Sequence, residues 1–416
     1  MAVKFIHTSD LHLDTPFTGL SNLNEQLAER LKDATFKSFE NIINLALEES
    51  VDFVLISGDI FDSENKSLSA QLKFRDGLKR LSEQNISTYF ICGNHDPLST
   101  WLDSLDLPEN VYRFGSKEVE KFRYEKSGFS VDIHGISFES STTEENLAKK
   151  FEAPAKSAEI SIALLHGTVG SHEAHAEYAP FSLDDINHKQ FDYWALGHIH
   201  KPEIVQKQNP TVVYPGNPQG RDFGELGPRG CYLVELSKNS KPKLDFIQTQ
   251  EVRFEQLEID LTDIETIGKI PKQIKSSLKS LEDYNESASY IIRINFTGKT
   301  PLHTKLNKQG EKEQLTEYLN EGQLPQDEFV WIDTISLNTK PEVNLEQLKK
   351  RNDFSAEVLS EFSKLESDSQ QLNDLLSEIS NNFSPQAQRE LSELTSKEKK
   401  EILNEAKWKL IDQLIS

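Results

Sequence analysis

Cysteine is nearly absent from the sequence, with only Cys92 and Cys231 among 416 residues. Two cysteines exclude a disulfide framework and a cysteine-based zinc site, and they are typical of proteins in the reducing cytosol. Long apolar runs are also lacking: no window approaches the length of a membrane span, and the first residues lack the basic start and apolar stretch of a secretion signal. We therefore expect a soluble, cytoplasmic protein that has no membrane partner.

Positive charge is scarce as well, since 46 lysines and arginines face 68 aspartates and glutamates and the net charge is −22. Nucleic-acid-binding proteins usually carry a basic surface, because neutralising phosphates releases counterions. A chain this acidic needs a local basic groove, bound metal ions or a partner in order to hold a nucleic acid. The charge argues against tight binding by the chain alone, but it does not exclude a nuclease.

The length and the changing pattern along the chain predict two or three domains. Residues 1–237 alternate short apolar runs with helical spacing, which indicates an α/β domain. Residues 250–340 contain strand-like pieces that flank helical ones, which predicts a small α+β capping domain. Residues 341–416 have apolar residues at helical spacing, which predicts a helical region, and Ser384 and Pro385 are typical of a helix start. The apolar stripe of this last region either docks a partner or packs within the protein.

Five apolar runs in the first domain predict buried strands, and residues able to bind a metal follow each run directly. In an α/β sheet, sites assemble in the crevice beyond the carboxyl ends of the strands. Each motif alone is more often a turn, but their joint occurrence predicts one site. The runs are Val3–Ile6, Phe53–Ile56, Thr88–Ile91, Ile162–Leu165 and Tyr193–Leu196, and the residues after them are Asp10 and His12, Asp59, Asn94 with His95 and Asp96, His166, and His198 with His200.

In order and residue type these motifs resemble those of the calcineurin-like metallophosphoesterases, D-x-H, G-D, G-N-H-D, H and G-H-x-H. The resemblance implies a sandwich of two β-sheets flanked by helices, and two divalent metal ions. Carboxylate, amide and imidazole ligands without thiolate suit manganese, iron or zinc, and manganese is the expected metal. By this resemblance one ion would be held by Asp10, His12, Asp59 and His200, and the other by Asp59, Asn94, His166 and His198, with Asp59 bridging the two.

The chemistry of a metal pair agrees with this assignment. Two cations about 3.5–4 Å apart can clamp a phosphate, generate a hydroxide at neutral pH and stabilise the attacking and leaving oxygens together. His95 binds no metal in the family pattern and faces the scissile group, so we expect it to protonate the leaving alkoxide. The neighbouring Asp96 would orient the ring of His95. The sequence therefore predicts phosphoester hydrolysis by a two-metal mechanism.

A closer resemblance, over roughly residues 1–235, is to the SbcD-type DNA-repair exonucleases and their YhaO-like branch. It rests on the stretches His7–Asp14, Ser57–Asp62 and Tyr214–Glu225. It implies a DNA exonuclease that forms a homodimer and works with an SMC-like coiled-coil ATPase, which supplies much of the grip on DNA. Asp62 departs from the pattern, because some relatives have a histidine there. Exo or endo cleavage therefore stays open, and Asp62 either supports the site or caps the following helix.

Further side chains near these motifs have two interpretations each. Arg221 would either bind a phosphate through its guanidinium or pair with Asp222 or Glu225. His172 and His175 lie in the loop after the fourth motif, and a metal role for them is not favoured because both sites are complete without them.

Two other functions compete with the nuclease. A small-molecule phosphomonoesterase or a cyclic-nucleotide phosphodiesterase would use the same metals, although it hardly needs the regions beyond residue 237. A regulatory subunit with a vestigial site is the other alternative. The complete set of ligands argues against it, since a decayed site should have lost at least one donor.

Overall fold

The computed structural model describes residues 2–17, 19–20, 25–62, 67–100, 106–155, 158–170, 178–238 and 240–415. His172 and His175 lie outside these ranges. Strands and helices alternate over the first part of the chain, as the apolar pattern predicts. In order they are β1 (Ala2–Thr8), α1 (Glu25–Lys32), α2 (Ala34–Glu48), β2 (Phe53–Ser57), α3 (Leu68–Glu83), β3 (Ser87–Ile91), β4 (Val111–Arg113), β5 (Glu120–Lys126), β6 (Phe129–Gly135), β7 (Ile160–His166), α4 (Leu183–Asn187), β8 (Tyr193–Gly197), β9 (Glu203–Lys207), β10 (Thr211–Tyr214), β11 (Gly230–Ser237) and β12 (Lys243–Gln248).

Three long strands separated by helices follow, and the chain then becomes helical. The elements are β13 (Val252–Asp260), α5 (Ile270–Lys279), β14 (Ser289–Thr300), α6 (His303–Leu306), α7 (Glu311–Asn320), β15 (Val330–Pro341), α8 (Leu345–Lys349), α9 (Phe354–Ser367), α10 (Ser369–Ser380), α11 (Pro385–Glu393) and α12 (Ser396–Ile415). Short 3₁₀ turns occur at Leu98–Thr100, Leu147–Lys150 and Ile267–Lys269.

Two six-stranded sheets organise the first part. One has the order β12-β11-β1-β2-β3-β4, in which β1 to β4 are parallel and β11 and β12 are antiparallel to their neighbours. The other has the order β5-β6-β7-β8-β10-β9, in which β6, β7, β8 and β10 are parallel and the edge strands are antiparallel. Parallel neighbours end at the same edge of a sheet, so residues that follow them are brought together.

The two sheets pack face to face. Because side chains alternate along a strand, Phe5, Leu55 and Ile162 point into one apolar cluster that both sheets share. On the outer faces, Ile6 of β1 packs in a cluster with residues of α2 and α3, and Leu165 of β7 packs in a cluster with α4. This arrangement confirms the predicted sandwich of two β-sheets flanked by helices.

The chain divides into two compact units. One comprises Met1–Gln256, Asn285–Ile292 and Asn320–Asp333, and the other comprises Leu257–Tyr284, Arg293–Leu319 and Thr334–Ser416. The strands β13, β14 and β15 form a third, small sheet in that order and contribute residues to both units. The division at residues 237 and 340 that the sequence indicates stays a prediction.

The helical end of the chain confirms the predicted helical C-terminal region. Trp408 of α12 packs in an apolar cluster with Leu348 and Leu359. The ammonium groups of Lys299 and Lys340 lie 5.1 and 5.5 Å from the centre of the Trp408 ring, which is the geometry of a cation–π contact. Within the described ranges, none of the helices combines the length and the apolar character that crossing a membrane requires.

Candidate metal centre

Five strands deliver the predicted ligands to the carboxyl edges of the two large sheets. The strands β1, β2 and β3 lead into Asp10, Asp59 and Asn94, β7 ends on His166, and β8 leads directly into His198. The backbone after each parallel strand turns at this edge, so residues far apart in sequence converge. The structure therefore brings the predicted motifs together.

Peptide groups link these turns and hold the carboxylates in place. The His12 N–H donates to the carbonyl of Asp59 at 3.1 Å. The His95 N–H donates to Oδ1 of Asp59 at 2.9 Å, and the His198 N–H lies 3.1 Å from each carboxylate oxygen of Asp10. Each buried carboxylate thus has a backbone donor that fixes its direction.

Several of the candidate ligands have unusual backbone angles. The φ angles are 53° at Asp10, 42° at His12, 51° at Asp59 and 101° at His198. For residues other than glycine these conformations cost of order 1–3 kcal/mol each and cluster at functional sites. The fold therefore holds these four residues in unfavourable backbone conformations, and these conformations direct their side chains towards the site.

Asp10, His12 and His200 form the first ligand group, and their donor atoms lie within 4.8 Å of one another. Nε2 of His12 is 3.3 Å from Nε2 of His200, and Nε2 of His200 is 3.8 Å from Oδ1 of Asp10. Imidazole nitrogens this close, facing a carboxylate oxygen, are disposed around a space that a single cation can share.

Asp59, His166 and His198 form the second group by the same distance criterion. Nε2 of His166 lies 3.3 Å from Oδ2 of Asp59 and 3.0 Å from Oδ1 of Asn94. The same oxygen of Asp59 is 3.9 Å from Nε2 of His12, which belongs to the first group. Asp59 of the second group therefore also lies close to a residue of the first group.

The electrostatics of the site fit a pair of divalent cations. Asp10 and Asp59 are each 1% exposed, and burial raises the pKa of Asp10. Burial also acts to raise the pKa of Asp59, but His166, His12 and His95 together outweigh it and the net shift is downward. Burial acts to lower the pKa of His166, but Asp59, together with Asp10 and the carbonyl of Ser57, outweighs burial and raises that pKa to about 9. Closely packed buried carboxylates and imidazoles of this kind are the donors that manganese, iron and zinc accept.

His95 stands beside the two groups with its ring half-exposed. Its Nδ1 lies 3.6 Å from Oδ1 of Asp62, slightly longer than a hydrogen bond, and its ring meets that of His12 edge-on at 4.9 Å. The Asp62 carboxylate raises the pKa of His95, against a smaller opposing effect of burial. The oxygen Oδ2 of Asp62 also accepts from the hydroxyl of Thr15 at 3.4 Å.

Asp96 has a different position from the one that the sequence indicates. Its carboxylate accepts hydrogen bonds from the N–H groups of Gly93, at 2.8 Å, and Ile60, at 3.0 Å. Those bonds shape the turn that carries Asn94 and His95. The carboxylate next to the His95 ring is that of Asp62, so the geometry favours Asp62 over Asp96 as the group that orients His95.

Arg221 forms an ion pair with Glu225, which is one of the two roles that the sequence allows for it. Its Nη2 donates to Oε1 of Glu225 at 2.8 Å and lies 3.0 Å from Nδ1 of His200. Contact of Arg221 with a phosphate stays a prediction. Sequence reasoning missed that Glu225 also reaches His200, with 2.7 Å between Oε1 and Nδ1. Only the density of polar residues in Tyr214–Glu225 hinted at such a contact.

Comparison with known proteins identifies what the chain resembles. Residues 3–202 match the family described as Calcineurin-like phosphoesterase, and residues 254–340 match the middle domain of metallophosphoesterase YhaO. Over 347 residues the chain is 35% identical to the uncharacterized metallophosphoesterase YhaO of Bacillus subtilis (strain 168), covering 83% of this chain and 84% of that protein.

Proteins named DNA double-strand break repair protein Mre11 are also similar. The one from Methanopyrus kandleri is 25% identical over 274 residues, covering 60% of this chain and 57% of that protein. The one from Methanocaldococcus jannaschii is 27% identical over 312 residues, covering 70% of this chain and 74% of that protein.

Proposed function

Since the chain belongs to the calcineurin-like metallophosphoesterases and is a hydrolase of phosphoesters, we propose that it cleaves the phosphodiester bonds of DNA as an exonuclease in DNA repair. The observation that carries this proposal is the pair of ligand groups around Asp59, with His95 beside them. DNA as the substrate is supported by the similarity to the Mre11 proteins, whose names state a role in repairing double-strand breaks.

We assign the dinuclear centre to manganese and distribute its ligands as the two groups suggest. One ion would be held by Asp10, His12, Asp59 and His200, and the other by Asp59, Asn94, His166 and His198. The two clusters of donor atoms and the contact of Asn94 with His166 support this distribution. When bound, such a pair neutralises phosphate charge and supplies a nucleophile at neutral pH.

His95 is the proton donor in this mechanism. Its Nδ1 faces Asp62, which leaves Nε2 as the nitrogen that reaches the leaving oxygen. The Asp62 carboxylate stabilises the protonated ring until the P–O bond breaks and the proton passes to the leaving alkoxide. A positioned acid of this kind typically contributes about 10²- to 10⁴-fold to the rate.

The charge of the chain bears on its partners. With a net charge of −22, the protein gains little from counterion release on binding DNA. We propose that a coiled-coil ATPase of the SMC-like kind supplies the grip on the strand, and that the nuclease acts as a homodimer. Binding of DNA by the nuclease alone should accordingly be weak.

The first experiment is hydrolysis of labelled single- and double-stranded DNA with and without manganese, beside bis-p-nitrophenyl phosphate as a small diester. Wild type, His95→Ala and His188→Ala are compared, because His188 is exposed at the end of α4, outside the site. We expect manganese-dependent degradation of DNA, a loss of about 10²-fold or more in His95→Ala, and wild-type rates in His188→Ala.

Other outcomes have distinct meanings. Cleavage of the small diester but not of DNA, also after addition of the partner ATPase, would favour the small-substrate enzyme. Two bound metal ions with no cleavage of either substrate would favour the regulatory subunit. An unchanged rate for His95→Ala would remove the proton-donor role and leave the metal centre intact.

A further inference from the structure

We infer that Glu225 is the positioning residue that selects the metal-binding form of His200. The inference rests on the proposed dinuclear site, in which His200 offers Nε2 to one ion. A neutral imidazole carries its single proton on one nitrogen and has a lone pair on the other. His200 can bind a metal through Nε2 only when that proton is on Nδ1.

The surroundings of His200 offer two competing partners for Nδ1. Oε1 of Glu225 lies 2.7 Å from it, and Nη2 of Arg221 lies 3.0 Å from it. A carboxylate only accepts hydrogen bonds and a guanidinium only donates them. The Glu225 contact therefore requires a proton on Nδ1 and frees Nε2 for a metal, whereas donation by Arg221 would require the opposite form, which cannot bind.

The contact of Nδ1 with Glu225 is favoured over the contact with Arg221, because several donors hold the Glu225 carboxylate in place. Its Oε2 accepts from Nδ2 of Asn217 and from the backbone N–H of Arg221, both at 2.8 Å. Its Oε1 accepts one N–H of Nη2 of Arg221 at 2.8 Å, and its contact with Nδ1 of His200, at 2.7 Å, is shorter than the 3.0 Å contact of Arg221. Arg229 in turn donates to Oδ1 of Asn217 at 3.0 Å and to the carbonyl of His200. The carboxylate is thus fixed against the ring it orients.

Two other candidate ligands, His166 and His12, differ in this respect. Nδ1 of His166 is 2.9 Å from the carbonyl of Ser57, a neutral acceptor. Nδ1 of His12 is buried and has no hydrogen-bond partner among the described residues. A carboxylate on the outer nitrogen of a ligand histidine fixes the tautomer and makes the ligand more basic, and its loss typically costs about 10- to 100-fold in metal affinity. Removal of Glu225 should therefore weaken the binding of the ion that His200 would hold.

The test is calorimetric titration of the metal-stripped full-length chain with manganese. It compares wild type, Glu225→Ala, Arg221→Ala, the double variant and Asp222→Asn. Asp222 is the matched control, since it is in the same loop and its carboxylate accepts from the N–H of Gly224 at 2.7 Å. We expect Glu225→Ala to weaken one of two manganese sites by about 10- to 100-fold, and the double variant to recover part of that loss because the competing donor is gone. Asp222→Asn should match wild type.

A purely structural role of Glu225 predicts other results. The inference would be overturned if Glu225→Ala left the manganese affinity of both sites unchanged or weakened both equally. It would also be overturned if the double variant bound manganese more weakly than Glu225→Ala does. If Glu225→Ala does not fold, as judged by circular dichroism of the metal-free protein, Glu225→Met takes its place with the same expected direction, because its thioether has a similar length but is only a weak acceptor. Failure of wild type to bind two ions would instead refute the dinuclear site itself, and the inference with it.

Discussion

Position 93 requires glycine because the surrounding atoms leave no room for a Cβ. A Cβ at this position would lie 2.2 Å from Oδ1 of Asp59 and 2.8 Å from its backbone nitrogen. The carboxylate cannot retreat, because its Oδ1 is held by the His95 N–H and its Oδ2 faces the ligands. This glycine therefore lets the carboxylate of Asp59 reach the centre.

We predict that Gly93→Ala weakens manganese binding and destabilises the fold by about 1–3 kcal/mol, the usual cost of overpacking. Gly268→Ala is the control, since nothing lies within 4 Å of its added Cβ and its φ is not in the left-handed region. Urea unfolding and manganese titration measure the two effects. A Gly93→Ala protein with wild-type metal affinity would contradict the steric argument.

Residue identities along the chain were enough to predict the metal-binding motifs, because each ligand follows an apolar run. The contact between Glu225 and His200 was not predictable in the same way. It depends on how the loop after β10 folds back, and many polar residues of that loop offer equivalent chemistry. The partner of His95 was ambiguous for a similar reason, since adjacency in sequence favoured Asp96 while the fold brings Asp62 to the ring.

At the scale of elements, β5 is joined to β6 by a charged pair as well as by the strand ladder. Arg123 and Asp132 face each other in the register of the two antiparallel strands. Nε and Nη2 of Arg123 donate to Asp132 at 2.7 and 3.0 Å, and Nζ of Lys121 adds a longer contact at 3.4 Å. Burial acts to raise the pKa of Asp132, but these donors outweigh it and lower that pKa below its ordinary value of 3.8.

A pKa lowered by folding means that Asp132 stabilises the protein above its unfolded-state pKa and stops doing so as the pH falls through its folded-state pKa. We predict that Asp132→Asn lowers the free energy of unfolding by about 1–2 kcal/mol at pH 7, a discounted value because Arg123 and Lys121 are partly exposed. The difference from wild type should shrink below about pH 4.

Urea unfolding at pH 7 and pH 3.5 checks this prediction. Glu125→Gln is the matched control: its carboxylate lies 4.0 Å from Nη1 of the same Arg123 but is 67% exposed, and an exposed pair of this kind contributes little to stability. A difference between Asp132→Asn and wild type that grows as the pH falls would have the wrong sign for a stabilising ion pair.

Apolar strands were predictable and polar edge strands were not. The five runs that predict strands all lie within β1, β2, β3, β7 and β8. The edge strands β5 and β9, by contrast, are mostly charged or amide-bearing and only partly buried, so they carry no apolar signal. Their pairing is decided by partners that are distant in sequence. The helix start at Ser384 was visible locally, and its hydroxyl accepts from the Ala387 N–H at 3.4 Å.

For the whole molecule, metal binding should appear as thermal stability. Asp10 and Asp59 are buried at the centre, and an ion that binds only the folded state stabilises that state by mass action. At a manganese concentration one hundred times the Kd, this amounts to about 2.7 kcal/mol, or roughly 5–10 °C in Tm for a domain of 150–250 residues.

Differential scanning calorimetry with manganese and with EDTA measures that shift. We expect Asp59→Asn to lose most of it, because this carboxylate lies 3.3 Å from His166 and 3.9 Å from His12, and Asp222→Asn to retain it. An equal shift in Asp59→Asn and wild type would mean that manganese binds elsewhere on this acidic chain.

The left-handed backbone at Asp10, His12, Asp59 and His198 also leaves a mark that selection can act on. Glycine adopts this conformation without a steric penalty, so a glycine at any of the four positions would relieve local strain while it removes a ligand side chain. A lineage that no longer needed the metal would be free to drift toward glycine there. Relatives that keep aspartate or histidine at all four positions are accordingly expected to be the ones that bind metal.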